Sequence, residues 1–199
     1  MKPISLLLFI LLSGVARAHQ VGGSGFMSGL AHPVLGFDHF LAMVSVGIWS
    51  AQLGGKAIWS VPTTFVIFMI IGAIIGILGF DVPLVEVGIA ISVMLMGIAV
   101  ATEKYISTAV GFVFVAIFGM FHGHAHGVEM PTIANPYLYA VGFVLGTSLI
   151  HLLGVVIGVM AQKKAVSATL LRYVGAGIAG VGFHIFITFI PLILVMIKL

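Results

Sequence analysis

Six long apolar stretches separated by short polar joints make up most of the chain. They run roughly from Ser24 to Ala51, Ala57 to Phe80, Leu84 to Ala101, Thr108 to Phe121 or somewhat beyond, Tyr137 to Ala161, and Leu170 to Ile197. Most reach the ~20 residues that a helix needs to cross a bilayer. The pattern predicts an all-α integral membrane protein, a bundle of six transmembrane helices. A shorter apolar run, Ile4 to Leu12, precedes them, with Lys2 before it and Ala16-Arg17-Ala18 after it. A positive start, a short apolar core and a small-x-small site read as a cleavable signal peptide, and the core is too short to span. The expected organisation is residues 1–18 as signal and 19–199 as a single six-span domain. Cleavage would leave His19 as the mature terminus, outside the cytoplasm.

The joints orient the spans. With the mature terminus outside, the connections after spans one, three and five are cytoplasmic, and they hold Lys56, Lys104, Lys163, Lys164 and Arg172, against Lys198 at the other side. This agrees with the positive-inside rule and puts Asp81, Glu86 and Glu129 on or near the outer face. Composition sharpens the picture: 61% of the 199 residues are hydrophobic and 7% are charged, where soluble domains carry about a quarter charged. The 26 glycines point to helices that pack closely in lipid. There is no cysteine, so disulfides, thiolate metal sites and cysteine nucleophiles are excluded. The formal charge is +3, but the basic residues are scattered, which argues against nucleic acid as a partner. Six spans could form a three-plus-three inverted repeat, although the halves share no convincing sequence similarity.

Ionisable groups inside such spans are costly and therefore informative. The first span carries His32, Asp38 and His39. A charge at the bilayer centre costs about 2.5–3.5 kcal/mol on insertion scales, so Asp38 should face a partner, a polar cavity or an ion. On a continuous helix His32 and His39 share a face but lie about 10.5 Å apart, too far for one tight chelate. Pro33, flanked by Gly29 and Gly36, removes a backbone donor and pushes His32 towards extended geometry, so a kinked or broken first span is expected. Broken helices commonly build ion sites in transporters. The blander reading is a proline kink with an Asp38–His39 pair holding helices together.

A second constellation is Phe121-His122-Gly123-His124-Ala125-His126-Gly127-Val128-Glu129. If the fourth helix continues through it, His122, His126 and Glu129 share one face at i, i+4 and i+7, with His124 turned away. Two histidines at i, i+4 can bind one metal, and a carboxylate a turn later can complete the site. If the segment is extended, His122, His124 and His126 line one side. The competing reading is a solvated outer loop. Gly119, Gly123 and Gly127 form a small-residue seam that lets another backbone approach. His151 and His184 sit at depths resembling those of Asp38 and His122, so the four could converge in one polar layer, though a lone buried histidine is more often an interhelical hydrogen bonder. Glu86 reads as a surface charge or an intake ligand. Met43, Met94, Met96 and Met120 read as packing.

These stretches, together with Val85-Glu86-Val87-Gly88-Ile89-Ala90-Ile91-Ser92 at the start of span three, resemble the HupE/UreJ family of bacterial membrane proteins. That family accompanies nickel hydrogenases and ureases and is regarded as one of nickel permeases. The likeness covers essentially the whole chain. It implies that His32, Asp38, His39, Glu86, His126 and Glu129 are functional positions, with His122 in the same motif and His124 at a variable place. Residence in the bacterial inner membrane is expected, and the orientation read from the joints puts the mature terminus and the His-rich segment on the periplasmic side.

The expected function is passive uptake of a divalent cation, since no P-loop is present to couple ATP. No permanently bound cofactor is expected. Nitrogen and oxygen ligands suit Ni(II) but also Co(II), Cu(II) and Zn(II), and site affinity alone would favour Cu(II). The expected partners are the metal ion and the bilayer, with a functional link to a nickel enzyme; a homo-oligomer is compatible with them. Two other classes compete. A non-transporting metal-binding or assembly partner would show no transport when purified. An intramembrane serine protease would use Ser24 of Gly22-Gly23-Ser24-Gly25 with His151 or His184 as base.

Overall fold

The computed structural model describes residues 25–103, 107–130 and 135–197. The expected signal peptide, His19, Ser24, Lys104 and Lys198 lie outside the described residues. All the elements are helical: α1 Gly25–Leu35, α2 Phe37–Leu53, α3 Ala57–Ile77, α4 Val85–Thr102, α5 Thr108–Val128, α6 Pro136–Ala161, α7 Ala165–Thr188 and α8 Ile190–Ile197. Among the described residues, α3 to α7 are each long and apolar enough to cross a membrane. α1 and α2, bent by 80° at their junction, pass the same test when taken together, which brings the candidate spans to six if the pair counts as one broken span. The helices are apolar all round, as helices surrounded by lipid and by one another must be.

The first span is broken, but not where the proline sits. α1 absorbs Pro33 in its last turn and His32 stays helical. The chain leaves the helix at Gly36, which is extended at φ −82° and ψ 103°. Packing overrides the local preference here, because Pro33 is buried and its ring lies against Gly146 of α6. Gly36 also keeps its neighbour's ring clear, since a β-carbon there would come within 3.2 Å of His39 Nδ1. At the other end, the stretch expected as one span from Leu170 to Ile197 divides into α7 and α8. Pro191, the second residue of α8, cannot donate to the carbonyl one turn back, and its ring crowds that carbonyl.

Three glycine-sealed pairs organise the bundle. α3 packs on α5 as its chief partner, α4 on α7, and the bent α1/α2 unit on α6. The seam of Gly119, Gly123 and Gly127 lies on the α3 backbone, against Phe65, Met69 and Ala73. A β-carbon at Gly123 would run into the Met69 carbonyl, so the close approach requires glycine. The α4–α7 pair is sealed the same way by Gly97, Gly175 and Gly182. Exchanging the two three-span halves would convert the first-with-fifth span pair into the second-with-fourth and leave the third-with-sixth unchanged. That is the pairing an inverted repeat would have. The correspondence stops there, because α2 also packs on α4 while α5 and α7 have no contact of comparable extent.

The chain order puts the α3–α4 joint, Glu86 and Glu129 at one end, and Lys56, Lys163, Lys164 and Arg172 at or near the other, where Glu103 is the exception. Arg172 donates to the Ala101 carbonyl at 3.0 Å. The charge asymmetry read from the joints is therefore present in the fold. Met43, Met69 and Met96 are core side chains beside Phe65 and Trp49, consistent with packing.

Candidate functional site

The fourth apolar stretch continues as helix to Val128, and Glu129 caps it. His122 and His126 are consequently buried on one face of α5, one turn apart. The break at Gly36 then does what a straight first span could not. His32 at the end of α1 puts Nε2 3.0 Å from His126 Nδ1. His39, in the first turn of α2, brings its ring to 4.3 Å from that of His126 and 4.7 Å from that of His122, centroid to centroid. The separation expected between His32 and His39 is bridged by His126, which stands between them.

Two layers result. In the outer layer His32, His126 and Glu129 each offer a ligand atom, and the three atoms lie within 4.8 Å of one another. His32 Nε2 is 3.9 Å from Glu129 Oε2, and that carboxylate is 45% exposed. The layer therefore opens to the acidic end of the bundle. Phe143 packs edge-on to His126 at 4.5 Å, and Tyr139 lies 5.8 Å from His32. The inner layer is the cluster of the His39, His122 and His126 rings, closed from solvent.

Hydrogen bonds set which nitrogens are available. Asp38 Oδ1 accepts from the backbone N–H of His39 and from its Nδ1–H, both at 2.9 Å. Asp38 thus holds a proton at His39 Nδ1, and Nε2 has no hydrogen-bond partner. Ser92 does the same for His122. Its hydroxyl donates to the Ile89 carbonyl at 2.7 Å, so its oxygen accepts from His122 Nε2–H at 2.8 Å. The Nδ1 of His122 is left unpartnered. His126 spends Nδ1 on His32 and keeps Nε2 unpartnered. Buried polar atoms are rarely left so, and a carboxylate or hydroxyl that fixes a histidine tautomer from behind is the usual support of a metal-binding imidazole.

The remaining sequence candidates divide. Glu86 is exposed in the first turn of α4, close enough for charge interaction with His39, Asp38 and Glu129. His124 is indeed turned away. Its Nε2–H donates to the Phe80 carbonyl at 2.8 Å, tying α5 to the end of α3. The layer that Asp38, His122, His151 and His184 could have made does not form, because His184 is exposed. α7 turns Gly175, Ile178 and Gly182 towards α4, and at 100° per residue this leaves His184 on the opposite, exposed side. His151 is buried, 5.0 Å from the Phe65 ring.

Ser92, Tyr139, Phe143 and Phe65 complete the surroundings and were not expected as site residues. Only Ser92 carried a signal, as a hydroxyl six residues inside Glu86 on an otherwise apolar span. The site draws on all three helix pairs: His32, Asp38 and His39 from the α1/α2–α6 pair, His122, His126 and Glu129 from α3–α5, and Glu86 and Ser92 from α4–α7.

A family model described as HupE / UreJ protein matches residues 7–185. Protein HupE of Rhizobium leguminosarum bv. viciae is 41% identical over 182 residues, covering 91% of this chain and 95% of that protein. No solved structure matches.

Proposed function

The chain belongs to the HupE / UreJ family, and from that premise we propose that it admits a divalent transition metal, Ni(II) before others, passively across a bacterial inner membrane. The ion would supply a nickel enzyme, a hydrogenase or a urease. The observation that carries this reading is the set of unspent ring nitrogens on His39, His122 and His126, gathered behind an outer trio of ligand atoms.

Glu129 and Glu86 draw in a hydrated cation at the acidic, periplasmic end. His32, His126 and Glu129 exchange its water for nitrogen and oxygen ligands. His126, which belongs to both layers, passes it inward to His39 and His122. Each of the inner rings keeps one nitrogen without a hydrogen-bond partner, and it must be unprotonated to bind the ion. Asp38 supplies the countercharge that a cation in a low-dielectric interior requires. On this reading the protein is an accessory permease rather than an enzyme. Net movement follows the metal gradient.

The test is nickel entry into proteoliposomes containing only this protein, beside an Asp38→Ala variant. Entry with wild type and its loss in the variant is the expected result. No entry with folded, metal-binding protein would reject permeation and move the assignment to a non-transporting metal-binding partner of a metalloenzyme.

A further inference from the structure

α6 turns one face to the site along much of its length. Tyr139 meets His32, and Phe143 meets His126. Four and eight residues beyond Phe143, on that same face, come Thr147 and His151. Both are buried, His151 to within 2% of complete. At 1.5 Å per residue, His151 is about 12 Å further along α6 than Phe143, in the direction of the basic end.

The inner part of this stripe has polar atoms with nothing to bind. Thr147 Oγ1 and both ring nitrogens of His151 lack any hydrogen-bond partner. A neutral imidazole has one donor and one acceptor to place, and here neither is used. A histidine that served to hold helices together would spend at least one of them on a neighbouring helix. The ring is also connected to the layers above it. It lies 5.0 Å from Phe65, whose ring is 5.5 Å from His122. On its other side it borders a half-open, mostly apolar groove of about 380 Å³ between α3 and α6, whose wall includes Thr63 and Ser148 and the exposed Trp59, Ile67 and Leu152.

We infer that His151 is an inner station for the same cation, reached from His122 past Phe65. The ion is held there by one imidazole nitrogen, the Thr147 hydroxyl and water. The inference rests on the reading of the outer layers as an ion path. A site of one imidazole and neutral oxygens is weaker than the layers above it, and conduction needs a last site that releases its ion.

The experiment is equilibrium dialysis of Ni(II) against the purified full chain in detergent micelles, with His151→Leu and His126→Ala, followed by uptake into proteoliposomes. Two classes of bound Ni(II) are expected in wild type. His151→Leu should lose the weaker class alone and His126→Ala the tighter. His151→Leu should also slow saturated uptake by about tenfold while the half-saturating concentration stays unchanged. Leu suits the apolar surroundings, so its melting temperature should not fall. His151→Gln, which keeps a polar group without imidazole nitrogens, should lose the same class. A single class in wild type, or a weaker class that survives both substitutions, would overturn the inference. If wild type binds Ni(II) in both classes but conducts none, permeation falls while the isotherms still decide the role of His151.

Discussion

Replacing Ser92 by alanine isolates the contribution of tautomer control to metal binding. The hydroxyl is fully buried and forms a 2.8 Å bond with His122 Nε2. Its removal leaves a buried N–H without an acceptor, which costs about 1–3 kcal/mol of stability. The second consequence is separate. With nothing to hold the proton at Nε2, the ring is free to carry it at Nδ1, the nitrogen that otherwise keeps its lone pair for the ion. Loss of such a supporting partner typically weakens metal affinity 10- to 100-fold, about 1.4–2.7 kcal/mol. Ni(II) isotherms in micelles, thermal melts in the same detergent, and ring ¹⁵N shifts of labelled histidine measure the three quantities independently. Ser92→Thr, whose hydroxyl can still bond a carbonyl one turn back, should restore most of the affinity even where its extra methyl lowers stability. If Ser92→Ala loses stability but binds Ni(II) like wild type, the bond is a packing contact and the tautomer argument fails.

Four further outcomes follow from the same geometry. Asp38→Asn keeps the shape but not the charge behind His39, and should lower Ni(II) affinity by about 10- to 100-fold in the same isotherm; an unchanged isotherm would remove Asp38 from the support of the ligand. Protons compete for the imidazole lone pairs, so uptake should fall as the outside pH drops from about 7.5 to 5.5 and recover when it is raised; a flat profile in that range counts against histidine ligation. Gly123→Leu would push a side chain into the Met69 carbonyl and should cost about 1–3 kcal/mol or more in a melt, as overpacking does. His184→Ala, on the exposed face of α7, should leave uptake at the wild-type rate, and a substantial loss would mean that the ion path touches the outside of the bundle.

The elements themselves were legible because lipid leaves few choices: apolar runs of spanning length must be helices. The cluster of Phe121 to Glu129 was legible because i, i+4 spacing puts His122 and His126 together on any helix. The break in the first span was expected, but its position was not. Pro33 is the stronger local signal, yet its ring has a seat against Gly146, so the chain bends at the residue with no side chain to lose. No periodicity within one helix could have placed His39 beside His126, because that contact depends on an 80° bend and on which helices pair. That the part of His184 could not be decided from sequence has the same origin. Depth along a helix can be counted from sequence, whereas the direction a helix faces depends on its partner, and the glycines of α7 choose α4.

The pairing also bears on how an ion could move. Within a pair, backbones meet at glycines with no slack, and close-packed interfaces shift as units rather than deform. Between pairs the contacts are fewer, as between α3 and α6, and the ligands straddle those boundaries. His39 rides with α6, His122 and His126 with α3, and the Ser92 support with α4. A small displacement of one pair against another would therefore change ligand distances without breaking any glycine seam. An ion bound between His39 and His126 would draw two pairs together, and its departure would release them. Cross-linking the α1/α2 unit to α5 on the outer side should stop uptake while leaving Ni(II) binding in place, whereas a cross-link within the α3–α5 pair should leave both intact. Uptake that persisted with the first cross-link closed would mean that the pairs carry the ion without moving against each other.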